Sequence, residues 1–291
     1  PEAHQIQLGE ETLTYDKLVL AWGADTITLN LGGDAAEDVH KINSLLEYRT
    51  FRSNLDNDAE VAVLGAGLIG CEFANDLIQS GHKVSVADPS EWPLAQLIPK
   101  EAGKAVKKAL AEAGVEWHLG HAATGIMHGD NGRYQVELDN DNIIEADVVL
   151  SAVGLRAGID LAEKAGLAVD RGIKVDRTLQ TSNADIYALG DCAEVDGIWR
   201  PYVAPLMQCA RTLGKTLAGG DDDAPGKVKY PTLPIMVKTH LCPVIAYPPA
   251  DRSGEWTIEG DDHSVEASYL DDEGNLLGFA LTGEATKKRK D

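Results

Sequence analysis

The sequence predicts an α/β protein built around a parallel, doubly wound sheet, and three observations predict it. First, "VAVL" (61–64) is a continuous apolar run, of the kind buried on both faces in a parallel sheet, and it leads straight into Gly65-x-Gly67-x-x-Gly70. Second, "CEFANDLIQ" (71–79) carries helical spacing, with Phe73, Leu77 and Ile78 on one side, and "KVSVAD" (83–88) is a second strand closing on Asp88. Third, two more apolar strands, in "YDKLVLAWGAD" (15–25) and at 147–153, flank this stretch like the two crossings of an inserted domain.

Strand, glycines, helix, strand and acid in that order make a βαβ unit. Asp88 lies 18 residues past Gly70, close to the ~20 expected of an acid that accepts ribose hydroxyls. Gly65 makes the tight turn, Gly67 lets a diphosphate approach the backbone, and Gly70 lets helix and strand pack closely. The free N–H groups at the helix start, from Leu68 and Ile69 onward, bind the anion. The unit therefore reads as a dinucleotide site. A carboxylate at Asp88 repels a 2′-phosphate, and "PSEW" after it offers no cation, so NADH is favoured over NADPH.

Beyond Asp88, residues 100–113 read as an amphipathic helix. The segments "VEWHLG", "ATGIMHGD", "YQVELDN" and "NIIEADVVLSAVG" read as strands parted by turn residues, an antiparallel excursion that ends in the apolar strand 147–153.

Composition excludes other classes. A formal charge of −21 disfavours nucleic acid, and the basic end "KKRK" (287–290) reads as a solvated terminus. No apolar run approaches the ~20 residues of a membrane span, so no membrane insertion is expected and the chain reads as cytoplasmic. Its four cysteines, Cys71, Cys192, Cys209 and Cys242, form no CxxC pair, which speaks against a zinc site or a redox dithiol. They read as reduced thiols packed as small hydrophobes.

Two acids need a further reading. Glu72 sits in the first turn of the fingerprint helix, where it either complements the helix dipole or faces the nicotinamide end of the cofactor; the local pattern leaves both open. "DIYALGDCAE" (185–194) is a short apolar run that stops on Gly190 and Asp191, placing a carboxylate at a sheet edge where a ligand hydroxyl can meet it.

The order "LVLAWGA", "VLGAGLIGCEFA", "VVLSAVGLR", "TSNADIYALGDCAE" and "PLMQCARTLGKTLAG" resembles the two-dinucleotide-domain flavoprotein reductases, the pyridine nucleotide-disulfide oxidoreductase superfamily. Trp22 and "VKTHLCPV" (237–244) resemble its rubredoxin–NAD(+) reductase branch. The resemblance covers residues 10–250. It implies tandem Rossmann-like FAD- and NAD-binding domains with a small C-terminal α+β domain. The expected division is a partial FAD domain at 1–57 and 147–236, an NADH domain at 58–146, and a C-terminal domain at 237–291.

By the same resemblance, Asp191 holds the ribityl chain of FAD, and Gly154 and Gly190 join the cofactor-binding set. Val203 brings its backbone against the flavin ring, Glu72 sits at the flavin–nicotinamide junction, and Lys238 presents its ammonium near the flavin. The implied activity is hydride transfer from NADH to FAD, then single electrons to rubredoxin, as in alkane-hydroxylase electron transfer. Alternatives are a ferredoxin- or nitrite-reductase-type component, a disulfide reductase, or a non-catalytic NADH-binding remnant. The family also carries its own FAD fingerprint ahead of these motifs, so the FAD domain is expected to be incomplete at its N-terminus.

Overall fold

The computed structural model describes residues 1–219, 226–230, 233–250 and 253–290. Contacts divide the chain into two units, 1–25 with 155–233 and 26–154 with 234–291.

The larger unit is built on five parallel strands in the order His40–Lys41, Val148–Ser151, Glu60–Leu64, Lys83–Asp88 and Glu116–Leu119. The chain reverses its direction of travel across the sheet between Glu60–Leu64 and Val148–Ser151. The carboxyl ends of those two strands therefore flank a crevice of the kind that binds ligands in open α/β sheets. Val61, Ala62, Val63 and Leu64 are all buried, as a central strand covered on both faces requires. Helices Leu68–Gln79 and Lys100–Glu112 cover one face and share its core. On the other face, Ile126, Val136 and Ile144 of the antiparallel strands Ala123–His128, Tyr134–Leu138 and Ile143–Ala146 pack on Ala62, Leu64 and Val149.

The fingerprint helix buries Gly70, Cys71, Ala74, Asn75 and Leu77, while Phe73 and Ile78 of the expected face are only half-buried. One stripe was expected. The helix is covered from two directions, by the sheet and by the segment 237–242, so its buried surface is wider.

Residues 234–291 contribute five antiparallel strands in the order Ile235–Val237, Val244–Tyr247, Leu276–Thr282, Val265–Leu270 and Glu255–Gly260. Val265, Ala267 and Tyr269 are buried in strict alternation, which turns one face of this sheet inward. That face joins one apolar cluster with Ala102, Ala105 and Val106 of helix Lys100–Glu112, and Lys108 pairs with Asp262 at 3.0 Å across the same contact.

The division by contacts thus differs from the expected boundaries at 57/58, 146/147 and 236/237. His40–Lys41 extends the parallel sheet through Leu150 and Ser151. Gly32 bridges to Gly125, and the Ala35 N–H donates to Ile126 O. Residues 26–57 and 147–154 are therefore held by the nucleotide sheet, and the C-terminal strands share its core.

In the smaller unit, Leu18–Leu20 runs parallel to Ile186–Ala188, and Ile173–Val175 runs parallel to Ala193–Val195, which pairs antiparallel with Ile198–Trp199. Leu20, Ile173, Leu179, Ile186 and Leu213 of helix Val203–Leu217 fill its core. The expected crossings, 15–25 and 147–153, lie in different sheets. The paired crossing strands are instead Ala24–Thr26 and Leu155–Ala157. Beside them the Trp22 indole N–H donates to Gly158 O at 2.5 Å. Its ring lies where a Gly158 side chain would stand, 3.1 Å from an added Cβ. No helix among the described residues is long and apolar enough to cross a membrane.

Candidate functional site

The glycine turn is shaped by close approach. Gly65 has φ +110°, and an added Cβ would lie 2.7 Å from Ala152 O. A Cβ on Gly70 would lie 1.9 Å from Gly65 O, so helix and turn touch through backbone. Gly67 is the opposite case: a Cβ there would meet nothing within 4 Å. Gly67 is the N-cap of the helix and no side chain caps it. The amides of Leu68 and Ile69 at the helix start are therefore left without a side-chain cap.

Asp88 closes this turn. Its Oδ2 accepts the Ala66 N–H and its Oδ1 the Ser90 N–H, each at 2.7 Å. The carboxylate is thereby held beside the fingerprint by two charge-assisted bonds.

A residue that sequence reasoning missed seals the same place. Leu94 is fully buried with φ +60°, and its N–H donates to Ala66 O at 2.8 Å. A branched apolar residue in the left-handed region is uncommon, and no side-chain pattern announces it. Gly154, with φ +111°, ends the crossing, its carbonyl accepting the Ile27 N–H at 3.0 Å.

The Glu72 carboxylate finds a backbone partner far along the chain. Its Oε1 accepts the backbone N–H of Lys238 at 2.8 Å. One turn on, Asn75 Oδ1 accepts the N–H of Leu241 at 3.1 Å. The Lys238 side chain is exposed and has no ion-pair partner among the described residues. The structure therefore brings the Lys238 backbone to the carboxylate of Glu72, which stands on the same helix as Gly70.

In the smaller unit, Gly190 (φ +78°) and Asp191 end the strand Ile186–Ala188 by way of Leu189. The start of helix Val203–Leu217 lies against them: an added Cβ on Gly190 would sit 3.3 Å from Leu206 Cδ1. That helix is capped by no side chain, and Val203 at its start is 76% exposed. The Trp199 indole N–H fixes the loop by donating to Asp191 O at 2.7 Å. Burial pushes the half-buried Asp191 carboxyl above its usual range, and among the described residues nothing donates to it. A half-buried acceptor without a donor is suited to ligand hydroxyls.

All four cysteines are buried and free. Burial pushes the Cys242 thiol up to about 11, and raises those of Cys71, Cys192 and Cys209 as well. None is poised as a thiolate, which disfavours disulfide chemistry on these residues. No cluster of three or more metal-ligating side chains occurs among the described residues.

Comparison with known proteins finds two family profiles. One, described as pyridine nucleotide-disulphide oxidoreductase, matches residues 2–213; the other, described as rubredoxin binding C-terminal domain, matches residues 227–291. The chain is 48% identical over 286 residues to a rubredoxin-NAD(+) reductase of Alcanivorax borkumensis, covering 98% of this chain and 74% of the relative. It is 44% identical over 298 residues to a rubredoxin-NAD(+) reductase of Acinetobacter baylyi, covering 100% and 75%. A solved ferredoxin reductase of the CYP199A2 system from Rhodopseudomonas palustris superposes with a TM-score of 0.86 at 27% identity, over 99% of this chain and 72% of that one.

Proposed function

The chain belongs to the pyridine nucleotide-disulphide oxidoreductase family, and from that premise we propose that it reduces rubredoxin with electrons from NADH, passed through FAD. The observation that carries this reading is one chain joining a dinucleotide fingerprint to a C-terminal segment of the rubredoxin-binding type. FAD, when bound, accepts the hydride of NADH as a pair of electrons and gives electrons up singly.

The residues present fit NADH and the ribityl and ring end of FAD. Gly67 leaves room for a diphosphate against uncapped amides, and Asp88 stands next to it with lone pairs to spare for ribose hydroxyls. We assign the diphosphate to Gly65, Gly67, Leu68, Ile69 and Gly70, and the end of the crossing beside it to Gly154. Gly190 and the half-buried carboxylate of Asp191 suit a polyol chain, and the uncapped helix start at Val203 favours electron-rich atoms of a flavin ring. Glu72 and Lys238 are assigned to the reacting ends of the cofactors. The Lys238 ammonium favours added negative charge on the flavin, and Glu72 holds the lysine's backbone. We place the protein in the cytoplasm, in keeping with four buried, unpaired thiols.

Anaerobic mixing of the FAD-loaded protein with NADH and oxidised rubredoxin tests this directly. Bleaching of the rubredoxin is expected. Reduction of a ferredoxin with rubredoxin left oxidised would replace this reading by the ferredoxin-type one, which the structural likeness to the Rhodopseudomonas reductase favours.

A further inference from the structure

We propose that Asn75 is a positioning residue: together with Glu72 it clamps the turn 238–242 onto the nucleotide-binding helix and so fixes where Lys238 stands. This rests on the assignment of Lys238 to the flavin made above. Nothing in the glycine fingerprint requires an asparagine at this position. Asn75 is 0% exposed, in a helix interior, and its helix neighbours Cys71, Ala74 and Leu77 share one apolar cluster with Val237, Cys242 and Val244. Asparagine is a weak helix former, and a buried amide is costly unless its hydrogen bonds are made. An apolar residue would suit that place better if packing were its only duty.

Its bonds are made, and one of them reaches far along the chain. Asn75 Nδ2 donates to Asp76 Oδ1 at 2.9 Å, and Asn75 Oδ1 accepts the Leu241 N–H at 3.1 Å. Glu72 stands three residues earlier on the same helix face and takes the Lys238 N–H at 2.8 Å. Two acceptors spaced by three on the helix thus meet two donors spaced by three on the turn. The turn is rigid in itself: buried Thr239 donates its hydroxyl to Cys242 O, and the Cys242 N–H donates back to Thr239 O at 3.1 Å. Val237, Thr239 and Cys242 point inward, while Lys238 and His240 remain exposed. With both ends of 238–241 fixed, the Lys238 backbone cannot drift, and only its side chain is left to move.

Hydrogen exchange and flavin potential, measured on the FAD-loaded protein, test the clamp. In the unaltered protein the Leu241 amide, which lies in a turn, should be protected. Asn75→Ala should speed its exchange about tenfold, the loss of one ordinary hydrogen bond. The same variant should move the flavin midpoint potential in the direction that Lys238→Met moves it, by less, while NADH affinity by titration stays within about twofold. The swap of Asn75→Asp with Asp76→Asn keeps both the acceptor and the contact between neighbours, and should restore potential and protection together. An unprotected Leu241 amide in the unaltered protein overturns the clamp, even if Asn75→Ala fails to fold. So does a potential unmoved by Asn75→Ala when Lys238→Met shifts it. If Lys238→Met itself leaves the potential unchanged, the flavin role of Lys238 is what fails, and the positioning claim fails with it, whatever the exchange shows of the turn.

Discussion

Asp88 Oδ2 accepts the Ala66 N–H at 2.7 Å, so the acid that ends one strand is bonded to the turn that follows its neighbour. The carboxylate is therefore a brace for the glycine turn as well as the group we assign to the ribose. Exchanging it for a shorter neutral side chain removes repulsion of a 2′-phosphate and loosens the turn at the same time. Asp88→Ser with Ser90→Arg should lower the NADH:NADPH ratio of kcat/KM by about tenfold or more, about 1.4 kcal/mol of transition-state binding. Absolute activity with NADH should fall too, because the Ala66 N–H loses its partner. Steady-state kinetics with both cofactors checks this. An unmodified enzyme that prefers NADPH would remove the role given to Asp88.

Two glycines of one motif should respond in opposite ways. A methyl at Gly67 meets open space, at a φ of −74° that any residue adopts. Gly67→Ala should therefore keep stability within about 0.5 kcal/mol, yet weaken NADH binding because the methyl stands where the diphosphate approaches. Gly70→Ala places its Cβ 1.9 Å from Gly65 O, and forcing atoms into packed backbone costs about 1–3 kcal/mol or more. Chemical denaturation and NADH titration of the two variants should separate fold from binding. Equal losses of stability would contradict the packing account of Gly70.

The parts of this site that were legible in sequence are those whose chemistry is local. Gly65 to Asp88 span one βαβ unit, so spacing alone gives the order of strand, turn, helix and acid, though not the approach of Gly65 to Ala152. Asp191 was legible for the same reason, as an acid at the end of a short strand. The partner of Glu72 was not, because the Lys238 N–H is 166 residues away and a backbone donor leaves no mark in residue type. Leu94 was hidden because its backbone dihedral, not its side chain, does the work. The attachment of residues 26–57 to the parallel sheet was hidden because the element that makes it is too short to signal itself: His40–Lys41 is a strand of two residues.

Stability toward acid should depend on the opposite end of the parallel sheet. Glu60 accepts from Lys83 at 2.7 Å and also from Arg133, which reaches Asp147 at 3.3 Å and Glu145 at 3.4 Å. Lys83 first, then Arg133, hold the Glu60 carboxyl below its usual 4.5. A carboxyl lowered in the folded state binds its proton more readily when unfolded. Its stabilisation is therefore present above pH 4.5 and is lost as pH falls through the lower folded value. Glu60→Gln should flatten the slope of unfolding free energy between pH 5 and 3, measured by urea titration. Salt at 1 M, where screening acts within about 3 Å, should flatten it as well. A slope unchanged in Glu60→Gln would assign acid sensitivity to other carboxylates.

Asp191 should show the reverse sign, and with it a conflict between stability and binding. Burial alone raises its carboxyl above the usual 3.8, and no donor among the described residues offsets the loss of water. The folded chain therefore holds this proton more tightly than the unfolded chain. Its charged form costs stability that appears as pH rises through 3.8 toward the folded value, and that persists at neutral pH. Asp191→Asn keeps the shape and removes the charge. Flavin-free protein carrying Asp191→Asn should be more stable than the unmodified protein at pH 7, by less than about 2 kcal/mol, and equal to it at pH 3. The same change should weaken FAD binding, because an amide accepts through one oxygen where the carboxylate offers two, and because a charged acceptor makes the stronger hydrogen bonds. Thermal unfolding at the two pH values, beside flavin content after dialysis, measures both sides. A variant that gains stability and still retains full flavin would show that Asp191 is not the residue that holds the ribityl chain.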